Sequence, residues 1–168
     1  LVNNLLSEIA EKPQCLTAPS DKKSTVTGKK GTIIYVDPNR LETVDGSPLG
    51  GDIQIELLEM TDNSSILVNN AQTVSNGQIL VTGGAYYLNM TSDGKQLKMK
   101  QGKGIEVEFP KLSEDEMGFF LGERDSLGQM NWIPTEESFK SKDIKDVQEP
   151  KKPVKKKYIK KTYNQMDD

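Results

Sequence analysis

The stretch 31-GTIIYVDPNRLETVDGSPLGGDIQIELLEM-60 joins two strongly patterned segments through a loop rich in Pro, Gly and Asp. GTIIYV is β-branched and aromatic, a composition that packs well on a pleated surface. In DIQIELLEM, Ile53, Ile55 and Leu57 alternate with Gln54 and Glu56, the period-two pattern of a strand with one buried face. Between them, Pro38 and Pro48 stiffen the chain while Gly46 and Gly50-Gly51 permit tight bends. The loop reads as a strand-to-strand connection rather than a binding site.

Working outward, the same grammar continues. QILVT and AYYLNMT are separated by Gly83-Gly84. Ser92-Asp93-Gly94-Lys95 is a hairpin turn, because Asp-Gly supplies the positive φ angles that tight turns require. KQLKMK returns with Leu97 and Met99 on one face. GIEVEFP places Ile105, Val107 and Phe109 inward and Glu106 and Glu108 outward. MGFFLG and MNWIP follow, joined by ERDSLGQ. About eight short strands at spacings of roughly 8–14 residues, with turn signals between them, predict an all-β fold, an antiparallel β-sandwich. No helical period is read between 31 and 134, and no long repeat.

The flanks differ from this body. In LVNNLLSEIAE (1–11), Leu1, Val2, Leu5, Leu6 and Ile9 share one face of a short N-terminal helix that Pro13 limits. Residues 12–30, polar and carrying Pro13 and Pro19, read as a linker. After Phe139 comes KSKDIKDVQEPKKPVKKKYIKKTYNQMDD, an extended basic C-terminal tail too rich in Lys and Pro to bury a core. Within it KKYIKKTY alternates weakly, a pattern suited to an edge strand or a partner contact. The predicted organisation is 1–23 helix and linker, 24–139 β-domain and 140–168 tail.

Charge sharpens the division. Residues 1–139 hold 12 basic and 20 acidic side chains, a net of −8; residues 140–168 hold 10 Lys and 5 acidic residues, a net of +5. An acidic body carries a basic tail. The 168-residue chain has no histidine, which removes the commonest general base and metal ligand. Its one cysteine, Cys15, has no partner for an internal disulfide. No run approaches the roughly 20 apolar residues that span a bilayer. The start lacks the pattern of a signal peptide and does not begin with Met, which reads as a processed or cut form.

The chemistry-bearing patterns are sparse. No G-x-S-x-G elbow, S-x-x-K or G-x-x-x-x-G-K-[ST] motif is present. Glu106/Glu108 and Glu114-Asp115-Glu116 are the carboxylate clusters, and a weak calcium loop from Asp37, Asp45 and Asp52 is conceivable. No catalytic residue, cofactor or metal is assigned. The tail lacks Arg and stacking groups beyond its two Tyr, so no nucleic acid is expected. Tyr35, Tyr86, Tyr87, Phe119, Phe120 and Trp132 divide between core and contact surface. One member of each adjacent pair, Tyr86/Tyr87 and Phe119/Phe120, must face outward in a strand.

With these residues in view, 31–60 resembles the opening of a β-sandwich module of secreted and surface-anchored Bacteroidetes proteins: G-T-x-I-x-I-P-P-N-A-F, D-x-x-G-x-P-V-x-G, then an alternating I-E-L-x-E strand. SNGQILVTGGAYYLNMTSDGKQLKMKQGKGIEVEFP and MGFFLGERDSLGQMNWIP are similar to its later elements, so the resemblance covers about residues 24–134. The module looks distantly like the ZU-five domain of ankyrins and netrin receptors. Asp37-Pro38-Asn39-Arg40-Leu41 departs from the P-P-N-A-F element. The resemblance implies a non-enzymatic, extracytoplasmic structural or protein-interaction module. It implies a place in the periplasm or at the outer membrane or cell surface, as a peripheral or lipid-anchored subunit with protein partners in the envelope. A glycan-binding accessory module is the alternative. The expected contact residues are Leu5, Ile9, Tyr86, Tyr87, Trp132, Lys155, Lys156, Lys157 and Tyr158. Asp125-Ser126-Leu127 matches an O-glycosylation acceptor of exported Bacteroidetes proteins, with Ser126 as the modified residue.

Overall fold

The computed structural model describes residues 10–126 and 128–140. The expected N-terminal helix, with Leu5 and Ile9, and the tail, with Lys155, Lys156, Lys157 and Tyr158, lie outside the described residues. The described chain is predominantly β, and every strand pairing in it is antiparallel.

A five-stranded sheet has the order β1-β5-β8-β9-β4, formed by β1 (Gln14–Ala18), β5 (Ile53–Met60), β8 (Ala85–Ser92), β9 (Lys95–Met99) and β4 (Leu41–Thr43). A three-stranded sheet has the order β10-β3-β2, from β10 (Glu106–Glu108), β3 (Ile33–Val36) and β2 (Ser24–Thr27). Two further pairs complete the set: β6 (Val74–Ser75) with β7 (Gln78–Ile79), and β11 (Gly118–Arg124) with β12 (Met130–Ser138). That is twelve strands in four sheets among the described residues, against the eight or so expected.

Three local readings need correction. Residues 12–30 are not a linker, because β1 pairs with β5 along its whole length and β2 with β3. Both are short strands whose outward residues are polar (Cys15, Thr17, Thr25, Thr27), so only Leu16, Ala18 and Val26 signal the buried face. QILVT is not one strand: only Gln78 and Ile79 pair, in a small hairpin turning at Asn76 (φ 47) and Gly77 (φ 81). A one-and-a-half-turn helix, α1 (Asn63–Val68), stands where none was expected. Six residues are too few to show a period. Its signal is the cap instead: Asp62 accepts from the Ser65 amide at 2.8 Å while the Ser65 hydroxyl answers the Asp62 amide at 3.3 Å.

β5 organises the interior. Ile53, Ile55 and Leu57 point into a core shared by the five- and three-stranded sheets, with Ile34, Val36, Leu41, Met90, Leu97 and Ala18. Burying each of these large aliphatic side chains contributes about 1.5–3 kcal/mol. The opposite face of β5 is open at Gln54, but Leu58 and Met60 enter a second cluster with Ile66 of α1, Ala71 and Ala85. The alternation of DIQIELLEM therefore ends at Leu57, where the strand becomes buried on both faces.

Candidate functional site

The loop of residues 37–52 is tied down at each end. Asp37 caps the 3₁₀ turn Pro38–Arg40 by accepting the Asn39 amide at 3.1 Å, and pairs with Lys23 Nζ at 3.0 Å and Arg40 Nε at 3.5 Å. Asp45 accepts from Ser47 Oγ at 2.6 Å, Ser47 N at 2.9 Å and Thr43 Oγ1 at 2.7 Å. These bonds, with Lys95 beside them, hold the Asp45 carboxyl well below the usual carboxylate range. At the far end the Asp93 carboxylate lies so close to the Gly50-Gly51 backbone that an added Cβ would sit 2.3 or 2.4 Å from its oxygens. Asp37, Asp45 and Asp52 do not gather, and no group of three metal-ligating side chains occurs among the described residues. The loop therefore does not form the calcium site conceivable from its aspartates.

Beside that loop the outer face of the three-stranded sheet forms an open cleft of about 260 Å³, lined by Lys23, Ser24, Thr25, Tyr35, Asp37 and Glu106 among others. The register sets Thr25, Tyr35 and Glu106 in one row across the sheet. The Tyr35 hydroxyl donates to Glu108, and the Ser24 hydroxyl is buried without a partner. Of the charged groups lining the cleft, Lys23 and Arg40 already pair with Asp37.

Among the described residues the most deeply buried carboxylate is Glu59, which no sequence motif singles out. It is 2% exposed, in phase with Ile53, Ile55 and Leu57 on β5. Its oxygens accept from Gln14 Nε2 at 2.8 Å, Lys30 N at 2.8 Å and Thr32 N at 3.0 Å. Burial pushes the carboxyl up, but the bonds from Thr32, Lys30 and Gln14 outweigh it and leave it below its ordinary value. Across the strand pair sits Tyr86, whose buried hydroxyl has no partner. Burial, then the neighbouring Glu59 charge, push that phenol up to about 12. Glu59 is satisfied by backbone and amide donors of its own fold, so it is a clamp and not an acid or base poised for substrate. A charged residue in phase with three buried aliphatics was the available clue.

The predicted contact aromatics separate. The Trp132 ring packs on the second cluster, and its Nε1–H donates to the Gln72 carbonyl at 3.0 Å. Tyr86 stacks at 4.4 Å on Phe109. Both serve packing. Tyr87 points to the other side of β8 and is 45% exposed. Ser126 lies exposed in the β11–β12 turn, where the Gly128 amide bonds the Asp125 carbonyl at 2.9 Å.

Two apolar surfaces were not foreseen. Ile79, 88% exposed, and Val81, 80% exposed, project at and just beyond the β6–β7 hairpin. On the β11–β12 ribbon, Leu121 and Ile133 are direct cross-strand partners, 56% and 38% exposed. Alternation places them on the face opposite Trp132 and its partner Gly122.

No family model, curated protein or solved structure matches this chain.

Proposed function

We propose that this protein is a non-enzymatic, extracytoplasmic interaction module whose two larger sheets form a β-sandwich, working as a subunit of an outer-membrane or cell-surface assembly. The observation that carries the interaction reading is the pair Ile79 and Val81. Two large aliphatic side chains at 88% and 80% exposure, on a hairpin that projects them, are what a partner surface buries. The shared core of the two larger sheets supports the sandwich, and the motif resemblance supports the envelope setting, with a peripheral or lipid-anchored attachment. The buried carboxylate is engaged by the fold, in keeping with a binding rather than a catalytic role.

The test is affinity capture from gently solubilised envelopes of the native cell, using the full chain and its Ile79→Ser/Val81→Ser variant. A stoichiometric envelope protein retained by the first and lost by the second supports the reading. Equal retention by both, or no partner with either, overturns it.

A second reading, a glycan-binding accessory module, is favoured by the exposed Tyr87 ring and the Tyr35 cleft. Retention on a glycan surface that disappears in Tyr35→Ala or Tyr87→Ala would support it, and retention unchanged in both would remove it.

A further inference from the structure

The β11–β12 ribbon is a two-stranded sheet with no third strand among the described residues. Its inner face rests on the second cluster through Trp132, while its outer face presents the Leu121–Ile133 pair to solvent. The segment containing the ribbon is strongly acidic. Residues 111–138 carry seven acidic side chains (Glu114, Asp115, Glu116, Glu123, Asp125, Glu136, Glu137) against Lys111 and Arg124. Both basic groups are already engaged: Lys111 with Glu114, and Arg124 with the carbonyls of Asn69, Asn70 and Gly128.

The chain leaves the described structure at this same place. Phe139, immediately after β12, sets its ring against Phe119 at 5.7 Å and Phe109 at 6.0 Å. Phe119 precedes Leu121 by two residues in β11, so it belongs to the same face. The continuation from Lys140 therefore starts beside the open face. Within it, residues 151–163 (KKPVKKKYIKKTY) hold seven Lys and no acidic residue, with Tyr158, Ile159 and Tyr163 set among them.

We propose that residues 151–163 dock on the outer face of the β11–β12 ribbon of the same chain. Tyr158, Ile159 and Tyr163 cover Leu121 and Ile133, and the lysines lie near Glu123, Glu136 and Glu137. The connection is long enough. The 15 residues from Lys140 to Val154 reach at most about 50 Å, whereas the nine residues of β12 extend about 30 Å. Its shortness makes the intramolecular encounter more favourable than binding a second copy at low concentration, because the linker sets a high effective concentration. Contact is made across the face rather than by a strand added along β12. Pro134 has no N–H to donate and interrupts that edge.

The test is zero-length carbodiimide cross-linking of the purified full chain at micromolar concentration, read by peptide mass spectrometry on a mixture of isotopically light and heavy protein. The expected result is links from Lys155–Lys161 to Glu123, Glu136 or Glu137 within single chains, independent of protein concentration and suppressed by molar salt. In the K155E/K156E/K157E variant, links from Lys160 and Lys161 should fall about fivefold, the scale a few exposed ion pairs supply together. Mixed light–heavy links would assign the face to the tail of a second copy and overturn the intramolecular proposal. Absence of tail-to-ribbon links would overturn it altogether. The test uses the purified chain alone, so its outcome is independent of any envelope partner.

Discussion

The Glu59 carboxylate accepts the Thr32 amide at 3.0 Å, joining the end of β5 in one sheet to the approach to β3 in the other. The same carboxylate takes the Lys30 amide and the Gln14 side chain, so it holds the 28–32 turn and β1 together. A buried charge surrounded by donors stabilises only while those donors are in place. Glu59→Gln keeps the shape but turns an amide NH₂ toward groups that themselves donate. We expect a loss of about 1–3 kcal/mol, read as a lower urea midpoint with an unchanged slope.

The same clamp makes stability depend on acid. The folded-state pKa of Glu59 is lowered, so its contribution is fully present above the unfolded value of about 4.3 and is lost as pH falls through the folded value. Urea midpoints measured between neutral pH and the acid range should therefore fall below about pH 4.3. The fall should be shallower in Glu59→Gln. An identical acid profile in both proteins would show that other carboxylates carry it.

Gly28 sits against this clamp. A Cβ there would lie 2.6 Å from Leu57 Cδ2 and 2.7 Å from Glu59 Oε2, both in the buried interior. Leu57 would have to shift within the packed core and Glu59 against its hydrogen bonds. Gly28→Ala should cost about 1–3 kcal/mol through overpacking, measured by thermal unfolding. Gly46→Ala offers a contrast: nothing lies within 4 Å of its added Cβ, so any cost there comes from its φ of 79° alone.

Arg124 links the ribbon to α1. Its Nη1 donates to the Asn70 carbonyl at 2.8 Å and the Gly128 carbonyl at 2.9 Å, and Nη2 to the Asn69 carbonyl at 3.1 Å. The Asn69 and Asn70 carbonyls, at the C-cap and just past it, lie where the chain leaves the helix and its backbone acceptors lack intrahelical partners. Arg124→Ala should speed amide hydrogen exchange in 63–71 and in the 125–129 turn, at a cost of about 0.5–1.5 kcal/mol. Exchange unchanged in 63–71 would mean that the capping of Asp62 and the burial of Ile66 hold the helix without it.

Much of the strand pattern was open to reading. Asp93-Gly94 forms the expected tight turn, with φ of 48° and 73°. Ile53, Ile55, Leu57, Leu97 and Val107 lie inward as their alternation requires. The misses share a cause. β1 and β2 were obscured because each carries only one or two apolar residues on its buried face, and the strand partner that gives Gln14–Ala18 its conformation begins at Ile53. Leu58 and Met60 broke the alternation because α1, Ala71 and Ala85 cover the second face of β5 from elsewhere in the chain. An aromatic in a strand, such as Trp132 or Tyr86, shows its strand but not what packs on it.

The sequence by itself determined the secondary-structure class, the principal turns and the division between an acidic body and a basic tail. These follow from backbone preferences and side-chain periodicity within a few residues. Tertiary structure alone decided which faces are covered, that Glu59 is a clamp, and that no other described element covers Ile79, Val81, Leu121 and Ile133. Burial depends on segments far apart in the chain, and a local pattern records only that a side chain is apolar, never whether another element arrives to cover it.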